Sequence, residues 1–209
     1  MIRRVLAALA VVPAAFLPTS TVTATAAEPC PDAELVFARG TNQPPGLGVV
    51  GSAFFAALRS QLADKTVTSY AVNYPASYNL LRAGEGANDT VDHVQQLIAA
   101  CPTTRIVLGG YSQGAAVIDM AVGSPVPGFG LAAPLAPQDA EHIGAVAVFG
   151  NPYNRIGHTL TESPVYGAKT IDLCADGDPI CSDGIDRAAH SMYSPGLTRQ
   201  AAAFVAGVL

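Results

Sequence analysis

Short apolar runs alternate along the chain with longer amphipathic stretches, and their lengths predict strands and helices in turn. Residues 34–38 read as a strand that turns out through Arg39-Gly40-Thr41 into a Pro/Gly loop over 42–48. Val50, Phe54, Ala57, Leu58 and Leu62 recur at helical spacing, which predicts a helix over 49–62. Residues 67–74 form a second strand, stopped by Pro75. Val91, Val94, Leu97 and Ile98 then build an amphipathic helix over 90–100. Ile106-Val107-Leu108 is a continuous apolar run, the pattern of a strand buried on both faces of a parallel sheet. Gly109-Gly110 ends it and a helix follows over 115–121. Two more buried-type strands, 145–149 and 169–173, and a last helix over 197–208 complete the series. Five strands interleaved with helices predict βαβ units. The fold class is therefore α/β, with a mainly parallel five-stranded sheet covered by helices on both faces. The 209-residue length suits one such domain, and no repeat or linker divides it.

The first residues follow a different pattern. Arg3 and Arg4 precede an apolar run over 5–17, broken by Pro13, and Ala24-Thr25-Ala26 is a small-residue cleavage pattern. This is the layout of a secretory signal peptide, and the run is shorter than the roughly 18 residues a spanning helix needs. Residues 1–26 are read as the signal and 27–209 as the domain. Cleavage would remove two of the eleven basic residues and none of the sixteen acidic ones, taking the formal charge from −5 to −7. An acidic surface argues against nucleic acid and against polybasic docking on membranes. Residues 123–138 are uncharged and rich in Pro, Gly, Ala and Leu. They read either as a surface connection or as an apolar flap beside a lipid-binding cleft, the second being favoured because so long an uncharged loop is uncommon.

All four cysteines, Cys30, Cys101, Cys174 and Cys181, lie in the exported part. An even count in an exported chain points to two disulfides, and four cysteines allow three pairings. The simplest is local, Cys174 with Cys181, leaving Cys30 for Cys101. No CxxC pair or Cys/His cluster supports a metal, and no cofactor is called for.

Gly110-Tyr111-Ser112-Gln113-Gly114 is a GxSxG sequence. The bare pattern is weak, but here a buried strand leads in and an Ala-rich helix leads out. In that context the serine sits on a sharp turn, flanking glycines remove clashing side chains, and the helix start offers free N–H groups to an oxyanion. A serine nucleophile needs a base, and the base an orienting acid, which in α/β-hydrolases follow it in the order acid, base. His93 precedes Ser112 in a helix among polar residues and reads as solvated surface. His142 lies before a strand, at the wrong end of the sheet, and His158 in a polar loop. His190 falls between the last strand and the last helix, where a loop can carry it to the nucleophile. Asp176, Asp178, Asp183 and Asp186 are all available as the acid. Asp178 lies within the Cys174–Cys181 interval, but order alone leaves Asp176 a competitor.

Together Phe37-Ala38-Arg39-Gly40-Thr41, the GxSxG sequence, Asp178 bracketed by Cys174 and Cys181, and His190 twelve residues beyond it resemble the cutinase family. The likeness is strongest to its secreted members in mycobacteria and related actinobacteria. The resemblance spans the mature chain and places Asp178 ahead of Asp176. It implies a compact α/β-hydrolase without a large cap domain. It also implies Ser112 as nucleophile, His190 as base and Asp178 as acid. The oxyanion hole would come from the N–H groups of Gln113 and Thr41, with the Thr41 hydroxyl assisting. The implied disulfides are Cys30–Cys101 and Cys174–Cys181. Thr41 stands where fungal cutinases commonly have serine; it keeps the hydroxyl and adds a methyl group that restricts its rotamers. The implied function is that of a secreted, monomeric serine esterase. Its substrates would be short- to medium-chain acyl or lipid esters, with peripheral contact to lipid or the cell envelope. The rival readings are a cell-envelope acyltransferase and a catalytically silent lipid-binding or antigenic protein.

Overall fold

The computed structural model describes residues 29–123, 130 and 132–209. The expected signal segment, over 1–26, and residues 124–129 and 131 of the 123–138 loop lie outside the described residues. Five strands form one sheet: β1 (Ala33–Ala38), β2 (Val67–Ala71), β3 (Arg105–Tyr111), β4 (Ile143–Phe149) and β5 (Thr170–Leu173). They lie in the order β2-β1-β3-β4-β5, and every pairing is parallel. Parallel neighbours need crossovers, and four helices supply the covering layers: α1 (Gly48–Gln61), α2 (Ala83–Ala100), α3 (Gln113–Ala121) and α4 (Gly196–Val208).

The continuous apolar strands are explained by two cores. Leu35, Phe37, Val107, Ala147 and Phe149 face α1 and α4. Val36, Ala38, Ile106, Leu108 and Val148 face α2 and α3. Alternate residues of one strand thus enter opposite layers, so the fully buried positions of β1, β3 and β4 are apolar on both faces. β2 sits at the edge and is only half-buried, with Thr68 and Ser69 exposed.

Most boundaries lie within two residues of expectation, and three differ by more. β2 ends at Ala71 rather than at 74, because the chain turns over the sheet end and buries Tyr74 against α2. α2 starts at Ala83, not at 90. Gly84 and Gly86 look like loop residues, yet a Cβ at Gly86 would sit 2.9 Å from the Tyr74 ring, so that glycine serves close packing inside a helix. β3 runs through Gly109 and Gly110 to Tyr111, since a Cβ at Gly109 would lie 2.6 Å from the Phe37 ring.

His93 is also corrected. Its ring stacks on Tyr70 with centroids 3.5 Å apart, and its Nε2 lies 2.5 Å from Glu34 Oε1. It is a half-buried tie between α2 and the sheet edge, not a solvated residue. The side chain of Asn88, in the sequon Asn88-Asp89-Thr90, is engaged too: it donates to the Gly130 carbonyl and accepts from Ala132 N–H, both at 2.8 Å.

The chain leaves β1 toward β2 on one side and leaves β3 toward β4 on the other. Between the carboxyl ends of β1 and β3 the strand order therefore reverses, opening the crevice where α/β sheets bind ligands. The segments emerging there are Arg39–Gln43 after β1 and Ser112 after β3.

Candidate active site

Ser112 occupies the single residue between β3 and α3, with φ 57° and ψ −119°. An L-residue there is strained by about 1–3 kcal/mol and must be held by its surroundings. The two glycines explain how. A Cβ at Gly110 would fall on the Gly114 carbonyl, and one at Gly114 on the Ala38 carbonyl of β1. Strand, turn and helix thus close on one another only without these side chains, and Ser112 N–H is pinned to Phe149 O at 2.8 Å.

Facing it is the loop after β1. Asn42 N–H bonds the Ala76 carbonyl at 2.5 Å, and Gly40 N–H bonds Gln43 Oε1 at 3.0 Å. Beneath lies Arg39, 4% exposed, whose Nη2 donates to Tyr74 O at 2.7 Å and Nε to Gln43 O at 2.9 Å. The Tyr74 hydroxyl returns a bond to Arg39 O, and the guanidinium lies over the Tyr74 ring. Gln113 N–H belongs to the first turn of α3, where no intrahelical acceptor exists. Neither it nor Thr41 N–H has an acceptor among the described residues. The Thr41 hydroxyl donates to Gln113 Oε1 at 3.2 Å. That bond ties the two segments together and must be exchanged before the hydroxyl can donate to an oxyanion.

His190 Nε2 lies 2.9 Å from Ser112 Oγ, and its Nδ1 lies 2.7 Å from Asp178 Oδ2. The Cys174–Cys181 disulfide brackets Asp178, and Cys30 is joined to Cys101. Ile180 N–H donates to Asp178 Oδ1 at 2.8 Å and the Tyr193 hydroxyl to Oδ2 at 2.5 Å. Full burial pushes the Asp178 carboxyl up, but the bonds from Tyr193, His190 and Ile180 outweigh it and hold the group below the ordinary carboxylate range. Asp176, Asp183 and Asp186 are exposed. His142 precedes β4 at the far end of the sheet, and His158 lines a different cavity.

Three side chains at this site carry no sequence signal of their role. Arg39 was visible only as part of a motif. Tyr111, the variable residue of GxSxG, bonds the His190 carbonyl through its hydroxyl and stacks on the imidazole at 5.1 Å between centroids. Burial, with the Asp178 charge adding to it, pushes its phenol up to about 12. Tyr193 is fully buried beneath Asp178. A tyrosine three residues past a histidine is unremarkable until the turn at Ala189–Ser191 brings it back under the ring.

An apolar groove of about 440 Å³ opens beside Ser112, walled by Leu80, Leu81, Ala116, Met120, Tyr153 and Ile180. Its lining suits a hydrocarbon chain. Among the described residues, the one group with metal-ligand proximity is Cys174, Asp178 and Cys181. Both sulfurs are spent in the disulfide, so they offer no thiolate.

Asp119 lies farther along α3. It is 2% exposed, and its Oδ2 has no hydrogen-bond partner among the described residues. Burial pushes its carboxyl up to about 8, a bond from Asn151 opposing and the Asp172 charge adding. The folded protein therefore keeps this proton up to about pH 8, while the unfolded chain loses it near pH 4. Stability contributed by this group is full below pH 4, falls as pH rises to about 8, and is level above. Asp119→Asn removes the titration. Urea unfolding at about pH 6 and 9 is expected to show wild type losing more stability than the variant, by on the order of 1–3 kcal/mol. Equal losses would mean that Asp119 ionises normally.

Comparison with known proteins agrees with this architecture. Phospholipase Culp4 of Mycobacterium tuberculosis (strain ATCC 25618 / H37Rv) is 54% identical over 202 residues, covering 96% of this chain and 89% of that protein. Carboxylesterase Culp1 of the same strain is 45% identical over 192 residues, covering 88% and 84%. Among solved structures, Trichoderma reesei cutinase bound to a phosphonate inhibitor is 34% identical with a TM-score of 0.70, covering 86% of this chain and 77% of that one. An acetylxylan esterase is 27% identical with a TM-score of 0.75, covering 86% and 99%. The cutinase family model matches residues 29–209. The chain belongs to the cutinase family.

Proposed function

We propose that this protein is a secreted serine esterase acting on short- to medium-chain carboxylic esters, lipid esters included. Its relatives carry the names carboxylesterase, phospholipase and cutinase, all ester hydrolases. The observation that carries the reading is the unbroken hydrogen-bond line from Ser112 through His190 to Asp178 beside an apolar groove. His190 Nε2 takes the Ser112 proton as Oγ attacks the carbonyl carbon. The negative oxygen that forms is met by Gln113 N–H and Thr41 N–H. The imidazolium then protonates the leaving alcohol, and a water deprotonated by His190 releases the acid. Asp178 stays ionised throughout and holds His190 Nδ1–H.

Two disulfides support an oxidising compartment, and residues 1–26 are assigned as the export signal preceding a catalytic domain over 27–209. The proposed site is complete within one chain and needs no residue from a second copy, and the protein is read as a monomer. The exposed Leu80 and Leu81 at the groove rim offer apolar surface to lipid or the cell envelope.

The test is hydrolysis of p-nitrophenyl esters of rising acyl length. Turnover is expected to peak at one length. Ala116→Leu adds bulk to the groove wall on a helix that tolerates leucine, and it is expected to move the peak to shorter chains. A peak unmoved by this change would place the acyl chain elsewhere. Product analysis with a sugar acceptor separates hydrolysis from acyl transfer.

A further inference from the structure

We propose that Tyr193 is a positioning residue of the catalytic apparatus: its O–H and His190 Nδ1–H donate to the same oxygen of Asp178, and through that shared acceptor Tyr193 sets how strongly the acid supports the imidazolium. The inference rests on the triad reading above.

Tyr193 is fully buried, with its ring held edge-on by Tyr111, Phe149 and His190 at 5.5, 6.1 and 6.2 Å between centroids. The ring cannot swing, so the direction of its hydroxyl is set by the core. That hydroxyl accepts from Ala175 N–H at 3.2 Å and lies 3.3 Å from Cys181 Sγ. The sulfur is in a disulfide and has no hydrogen to give. The single phenol proton therefore goes to Asp178 Oδ2, at 2.5 Å, where His190 also donates at 2.7 Å.

Two consequences oppose each other. The bond fixes Oδ2 in front of His190 Nδ1, which favours the tautomer that leaves Nε2 free for Ser112. It also draws negative charge from that oxygen, weakening its support of the protonated ring. Tyr193→Phe removes both effects. Orientation is lost, so kcat falls. The carboxylate becomes the stronger acceptor for His190, so the ring holds its proton to higher pH. A residue that merely filled space would alter stability or kcat without moving the acid limb of the rate profile.

The experiment measures kcat and KM on a p-nitrophenyl ester from about pH 5 to 9 for wild type, Tyr193→Phe and Ser112→Ala. It adds protein with 3-fluorotyrosine placed at position 193, whose phenol is a stronger donor of nearly the same shape. Tyr193→Phe is expected to lose about tenfold in kcat with KM little changed, and its acid limb to move up by about half a pH unit or more. The fluorotyrosine protein is expected to move the limb down. An acid limb unmoved in a folded Tyr193→Phe protein overturns the proposal, whatever happens to kcat. If that variant does not fold, the fluorotyrosine protein decides, and an unmoved limb there has the same meaning. Activity surviving in Ser112→Ala would instead sink the triad reading itself.

Discussion

Ser112→Ala is expected to lower kcat by about 10⁵- to 10⁶-fold, the scale seen when a serine hydrolase loses its nucleophile. The change removes one oxygen. The strained turn stays, because Gly110 and Gly114 and the bond from Ser112 N–H to Phe149 O hold it. Thermal stability is therefore expected to stay close to wild type. What remains is the oxyanion site and the groove, which still bind the ester and leave about 10³- to 10⁴-fold acceleration over water. The measurement is initial-rate hydrolysis of a p-nitrophenyl ester, with circular dichroism to verify the fold. A loss below about a hundredfold in clean, folded protein would mean that Ser112 is not the nucleophile.

The second large effect is expected from Asp178→Asn, a fall in kcat of about 10⁴-fold, as for the corresponding change in a serine protease. The amide fits the space of the carboxylate: its oxygen takes the place of Oδ1 and keeps the bond from Ile180 N–H, so its nitrogen takes the place of Oδ2. Its NH₂ would donate to His190 Nδ1, forcing the ring proton onto Nε2, where it faces Ser112 as a donor and cannot accept. The loop stays closed by Cys174–Cys181, so the loss is one of protonation and not of folding. Asp176→Asn, on an exposed side chain of the same loop, is the control and is expected to change kcat less than twofold. A larger effect from Asp176 than from Asp178 would reverse the assignment.

The features legible in the sequence were those with local causes. Strands β1, β3 and β4 are buried on both faces, and that condition writes itself as an apolar run. The turn at Ser112 is a short-range steric problem, and its two glycines stand within two residues of it. Asp178 could be singled out by the flanking cysteines of a known family, whereas position alone left Asp176 level with it. The rest depended on distant neighbours. The first half of α2 looked like loop because Gly86 answers to Tyr74, twelve residues earlier. His93 looked solvated because its partners Glu34 and Tyr70 lie on two strands. Arg39, Tyr111 and Tyr193 act through backbone carbonyls and one carboxylate oxygen that only the folded chain brings to them.

Arg39 has a consequence beyond holding its loop. Its guanidinium is satisfied by the carbonyls of Gln43, Val72 and Tyr74, and these are dipoles, not counter-charges. A full positive charge is thus sealed into the protein two residues upstream of Thr41, where water cannot rearrange around it. In the proposed mechanism it sets up a standing electric potential behind the oxyanion loop, present before any ester arrives. As charge moves onto the carbonyl oxygen, part of the stabilising field is already in place, and no solvent has to turn to create it.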